Sequence, residues 1–143
     1  MDYQFTQDWF SENNPEKVVR QFEDLLSEYK DKSCMFLEIG SFEGMSTIWM
    51  LENILTEERS QIFCIDAWVE WTGDAFARFV ENISKTGRKD KVHIIKGDSS
   101  KELRIFPDEY FDFIIKNKRG QGSQYLTVKK PEDLKDVVYL LSP

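Results

Sequence analysis

Three carboxylates and two glycines stand where they could do chemistry together. In "FLEIGSFEGMST", residues 36 to 47, Glu38 precedes a turn holding Gly40 and Gly44, with Ser41, Phe42 and Glu43 as its rim. Asp66 follows the apolar run "IFCI", and Asp98 follows "IIKG". Glycine, lacking Cβ, opens dihedrals closed to other residues and lets a ligand come up against the main chain. A dinucleotide site would use G-x-G-x-x-G with a pyrophosphate at the helix N-terminus. Here position 42 is Phe, and Glu38 stands just before the turn. A carboxylate there repels a diphosphate and suits a ligand carrying positive charge. The plainer reading of a bare GxxxG is a tight strand-to-helix turn without a ligand. Each Asp alone is accounted for as a cap or turn former. Jointly, the acids line a crevice.

Such a crevice needs elements that bring distant chain positions to one edge. Four short apolar runs, "CMFLEIG", "QIFCID", "KVHIIKG" and "YFDFII", read as strands of a parallel sheet buried on both faces. The segment "NPEKVVRQFEDLLSEY" reads as a leading helix, with Asn14 as N-cap and Pro15 in its first position. Between the strands, Ile48, Leu51 and Leu55 mark one helix, and Phe76, Phe79, Val80 and Ile83 mark another that ends near Gly87. A shorter one, "SSKELRIF", stops at Pro107. The alternation predicts an α/β fold: a Rossmann-like, doubly wound, mainly parallel sheet with helices on both faces and right-handed crossovers. Ligands collect at the carboxyl ends of such strands. Lys116 to Gln124 reads as an exposed basic loop, "YLTV" as a short strand, and "PEDLKDVVYLL" as a final helix with Pro131 near its start.

Composition bounds the partners. A chain of 143 residues, 41% hydrophobic and 31% charged, suits one folded domain. Its net charge of -7, with no basic block, argues against nucleic acid or a membrane surface as partner. Cys34 and Cys64 lie in or beside apolar runs and read as buried thiols in preference to a disulfide. The N-terminus has acids where a signal peptide carries positive charge, and no apolar run reaches the about 18 residues of a membrane span. A cytoplasmic protein is the expectation. His93, the only histidine, lies inside "VHII" and reads as a strand residue before a base. The carboxylates have no accompanying His, so no metal site is expected. Trp68 and Trp71 read as packing anchors first and as ligand contacts second.

Over about residues 34 to 115 the sequence resembles the cofactor-binding half of a class I S-adenosylmethionine-dependent methyltransferase. "FLEIGSFEGMST" is similar to that family's first motif, "IFCIDAW" to its acidic second strand, and "VHIIKGDSSKEL" to its third-strand motif. The resemblance implies that Glu38, Gly40, Ser41 and Gly44 border the methionine part of S-adenosylmethionine. It implies that Asp66 accepts the ribose hydroxyls, that Ala67 and Trp68 lie against the adenosine, and that Asp98 and Ser99 sit at the adenine edge. The opening "TQDWFSENNP" looks like a leader that covers the site in a subgroup of these enzymes. Residues 1–143 are then one methyltransferase-like domain, with a leader and helix over 1–33, the core over 34–115 and a divergent segment over 116–143.

The fourth strand departs from the pattern. Where the family commonly reads "FDFIYIDGxH", with an acid reaching the methyl acceptor or a metal ion, this chain reads "FDFIIKNKRG". The sheet is also incomplete relative to a seven-stranded methyltransferase, and the abrupt divergence after Ile115 points to a truncated or altered ending. Two functions stay open: methyl transfer to an oxygen or nitrogen of a small molecule, and a catalytically inactive module that binds S-adenosylmethionine or a partner. Strand four, left without its usual neighbour, is expected to pair with a second copy through its open edge.

Overall fold

The computed structural model describes residues 2–6, 15–69, 73–107, 110–117 and 125–128. Helix α1 (Pro15–Leu26) runs through one 3-10 turn toward strand β1 (Met35–Ile39). Helix α2 (Met45–Asn53), β2 (Gln61–Asp66), α3 (Ala75–Lys85), β3 (Val92–Lys96), the one-turn helix α4 (Ser99–Glu102), β4 (Phe113–Asn117) and β5 (Tyr125–Val128) follow. None of the described helices is long and apolar enough to cross a membrane.

The strands form one sheet in the order β3-β2-β1-β4-β5. The first four are parallel, and β5 runs antiparallel to β4. The chain winds outward from β1 to β3 and then returns to the other side of β1, so the order reverses between β1 and β4. A crevice opens at the carboxyl ends beside such a reversal.

Period-two alternation divides the core. Phe36, Ile62, Cys64, Phe113 and Ile115 pack with Phe22 and Leu26 of α1, Ile48 and Leu51 of α2, and Phe79 and Ile83 of α3. Leu37, Ile39, Ile65 and Ile114 pack on the opposite face with Leu103 and Phe111. Tyr29 stands edge-on to Phe36 with ring centroids 5.4 Å apart, and Phe36 meets Phe113 at 5.6 Å. Such ring pairs add about 0.5–1.5 kcal/mol beyond area burial. Cys34 and Cys64 are buried free thiols.

Several sequence expectations are corrected. Strand four runs over Phe113–Asn117 in place of 110–115, so Lys116 and Asn117 belong to the sheet and not to a loop. Polar residues continue the strand because Lys116 pairs with Ile39 on one side and Leu126 on the other. The "YLTV" strand is present as β5, and it covers the edge of β4 that was expected to be open. Leu55 lies past the end of α2, and β3 is a half-exposed edge strand in place of one buried on both faces. The final helix expected over 131–141, together with Asn14, Trp71 and the leader from Gln7 to Asn14, lies outside the described residues.

Candidate functional site

The carboxyl ends of the four parallel strands meet around a cleft of about 560 Å³, within the usual range for small-ligand sites. Ile39 and Gly40 line it from β1, Ile65, Asp66, Ala67 and Val69 from β2, Gly97, Asp98 and Ser99 from β3, and Asn117 from β4. Its floor is apolar and its rim carries two carboxylates.

Gly40 is required where it stands. It has φ +83°, its N–H donates to the Ile65 carbonyl at 2.8 Å, and a Cβ there would come within 2.8 Å of the Asn117 carbonyl oxygen. The chain then turns through Ser41 to Gly44, closed by the Gly44 N–H on the Ser41 carbonyl at 2.9 Å. Gly44, φ +92°, caps α2, and a Cβ there would come within 3.1 Å of the Phe79 ring.

Asp66 and Trp68 lock this turn to the neighbouring one. The Phe42 and Trp68 amides each donate to an oxygen of Asp66 at 2.9 Å, and the Trp68 indole N–H donates to the Phe42 carbonyl at 2.7 Å. Phe42 and Trp68 both take left-handed backbone, with φ of 49° and 44°. Such strain persists only where the surroundings determine it, and here the bonds around Asp66 do so. The Trp68 ring is buried against Phe76 and Phe79, with centroids 4.9 and 5.0 Å away.

Glu38 lies beneath the cleft, wholly buried. The hydroxyls of Ser46 and Thr47, in the first turn of α2, donate to its two oxygens, and Asn117 Nδ2 donates to it at 3.0 Å. Burial pushes its carboxyl above the ordinary range, against the pull of those bonds. Burial, and then Glu38 itself, pushes the Cys64 thiol well up. Asn117 Nδ2 also donates to the Gly40 carbonyl at 3.1 Å, which fixes the amide's orientation and leaves its buried Oδ1 with no partner among the described residues.

Of the residues singled out in the sequence, Gly40, Asp66, Ala67, Asp98 and Ser99 line the cleft. Glu38, Ser41, Gly44 and Trp68 stand behind it and shape the turn. His93 is a strand residue stacked on Phe63 at 4.4 Å, with a ring nitrogen 2.7 Å from Gln61 Oε1. Sequence reasoning missed Val69, Gly97 and the cleft role of Asn117. The signal for Asn117 was its place where the family pattern has an acid.

A doubly wound sheet with a glycine turn after β1, an acid at the end of β2 and another after β3 is the class I methyltransferase arrangement. A family model described as "Methyltransferase domain" matches residues 37–128, and the chain belongs to that family. No curated protein matches the sequence. Among solved structures, a putative O-methyltransferase from Klebsiella pneumoniae is similar at 22% identity and TM-score 0.54, over 73% of this chain and 43% of that one. The O-methyltransferase of tomaymycin synthesis from Streptomyces achromogenes, solved with SAM, is similar at 18% identity and TM-score 0.55, over 69% and 44%. An rRNA methylase from Streptococcus thermophilus is similar at 15% identity and TM-score 0.53, over 69% and 49%. The chain spans less than two thirds of the length of each.

Proposed function

We propose that the cleft binds S-adenosylmethionine and that the protein transfers its methyl group to an oxygen or nitrogen of a small molecule. The observation that carries this reading is the joint placement of Gly40, Asp66 and Asp98 around one apolar-floored cleft at the strand-order reversal. The residues present fit the group: Asp66 and Asp98 offer acceptors for hydroxyls and an amine, Gly40 admits close approach of the main chain, and Ile39, Ile65 and Val69 offer apolar contact. When bound, the cofactor supplies an electrophilic methyl on a sulfonium centre. Asp66 orients the ribose, Ala67 and Val69 cover the nucleoside, and Asp98 and Ser99 meet the adenine edge. Glu38 works from below, holding Ser46, Thr47 and Asn117 so that Gly40 keeps its shape. Residues 1–143 act in this reading as one cytoplasmic domain, and the net charge of -7 favours a small acceptor over nucleic acid.

Binding without turnover is a second reading, favoured by one feature: Asn117 ends β4 where the family pattern carries an acid. Both readings are tested by titrating S-adenosylhomocysteine calorimetrically and then screening hydroxyl and amine acceptors for methylated product. Saturable binding is expected, and Asp98→Ala, whose side chain is exposed, is expected to weaken it by about 1 kcal/mol. Absence of binding by the parent chain overturns both readings; binding with no product from any acceptor selects the second.

A further inference from the structure

Residues 2–6 lie against α3 and the glycine turn. The Gln4 amide donates to Asn82 Oδ1 at 2.8 Å, and Asn82 Nδ2 donates back to the Gln4 carbonyl at 3.0 Å and to the Glu43 carbonyl at 2.9 Å. Thr6 donates its amide to one oxygen of Glu43 at 2.9 Å and its hydroxyl to the other at 2.8 Å. Arg78 Nε completes the carboxylate at 2.5 Å. Tyr3 adds a bond to Glu52 at 2.8 Å, and Lys85 one to the Asp2 carbonyl at 2.7 Å. Glu43 and Asn82 are both buried, and Arg78 and Asn82 share one face of α3 at i,i+4 spacing.

We propose that Glu43 is a positioning residue through which the N-terminal segment Tyr3–Thr6 holds the glycine turn in its ligand-binding shape. The proposal rests on the cofactor reading above. Undocking the segment strips Glu43 of both Thr6 donors and leaves Asn82 with neither of its Gln4 bonds. Buried polar groups deprived of partners are costly, so the turn relaxes when the segment leaves. Glu43 adjoins Phe42, whose amide fixes Asp66 and whose carbonyl receives the Trp68 indole. Segment docking and the shape of the cleft are therefore one linked equilibrium, and linkage is reciprocal: a ligand that prefers the ordered turn tightens the segment by the factor by which the segment tightens the ligand.

The test measures hydrogen exchange on the wild-type chain with and without saturating S-adenosylhomocysteine, beside calorimetry on Thr6→Val and Glu43→Gln. Exchange at the Gln4 and Thr6 amides, which lie outside the cleft, is expected to slow about 10-fold on binding. Both variants are expected to bind more weakly, by about 5-fold or more, with part of that protection lost. A purely structural role for Glu43 would lower stability without making exchange at these amides depend on ligand. Binding by the wild type with unchanged exchange at Gln4 and Thr6, or with parental affinity in a folded variant, overturns the proposal while sparing the cofactor reading. No binding by the wild type overturns both. If Glu43→Gln does not fold, Thr6→Val and the wild-type exchange decide.

Discussion

Glu38 shows how one side chain can matter to a site it does not touch. Because burial raises its carboxyl, the folded protein gives up that proton at a higher pH than the unfolded chain does. That contribution to stability is complete below the unfolded glutamate pKa of about 4.3 and is lost as pH rises through the raised folded value. Glu38→Gln has the same shape and stays neutral. Its Tm relative to the parent is therefore expected to improve as pH rises from the unfolded value of about 4.3 through the raised folded value, and to level off above it. Thermal unfolding of both chains across that range checks this, and a constant Tm difference would show that Glu38 is not the titrating group. The sequence displayed the carboxylate but not its setting. Ser46 and Thr47 read as ordinary residues of a helix start, and Asn117 is 79 positions away. Local spacing carries no trace of a contact of that range.

At the scale of elements, the two turns after β1 and β2 behave as one unit. Trp68 is the bolt: its ring fills the space over Phe76 and Phe79, and its N–H holds the Phe42 carbonyl. Trp68→Phe keeps most of the packing and loses the bond, for an expected cost of about 1–2 kcal/mol, whereas Trp68→Ala is expected to cost about 3–5 kcal/mol. Denaturant unfolding measures both; equal losses would mean that packing contributes little. The strands and the glycine turn were legible because each leaves a local mark, an apolar run or a residue that only unusual dihedrals require. The direction of Trp68 was not, since an indole after a strand fits a ligand wall and a core equally well. Nor was the docking of Gln4 and Thr6, whose partners are 78 and 37 residues away. The end of β4 was misplaced because Lys116 and Asn117 look like loop, and what keeps them in the sheet is pairing, of Lys116 on both sides and of Asn117 with Tyr125.

Across the whole molecule, β5 decides what the sheet presents. With β5 antiparallel on β4, the outermost strands among the described residues are β5 and β3, and β3 ends in Lys96, whose ammonium sits 4.7 Å above the Phe76 ring. A chain ending after residue 124 would leave one side of β4 without partners, and such edges recruit other chains. Light scattering is expected to show its mass rising with concentration more steeply than that of the full chain; identical curves would mean that β5 does not shield the edge. The helices are also unevenly spread: α1, α2 and α3 pack with one face of the sheet, while among the described residues only α4 and its following 3-10 turn, Leu103–Ile105, pack with the other. The two sides of the cleft thus differ in how much packing backs them. Gly40 is followed by the buried α2, whereas Asp98 precedes and Ser99 opens a single helical turn beyond an edge strand. Local opening favours the less buttressed side, so the Lys101 and Glu102 amides should exchange with solvent faster than that of Ile48; the opposite order would place the yielding wall at the glycines. If the cleft takes the proposed nucleoside, the side that yields to admit it is the one built on a single turn of helix, and the side it settles against is the one backed by α2.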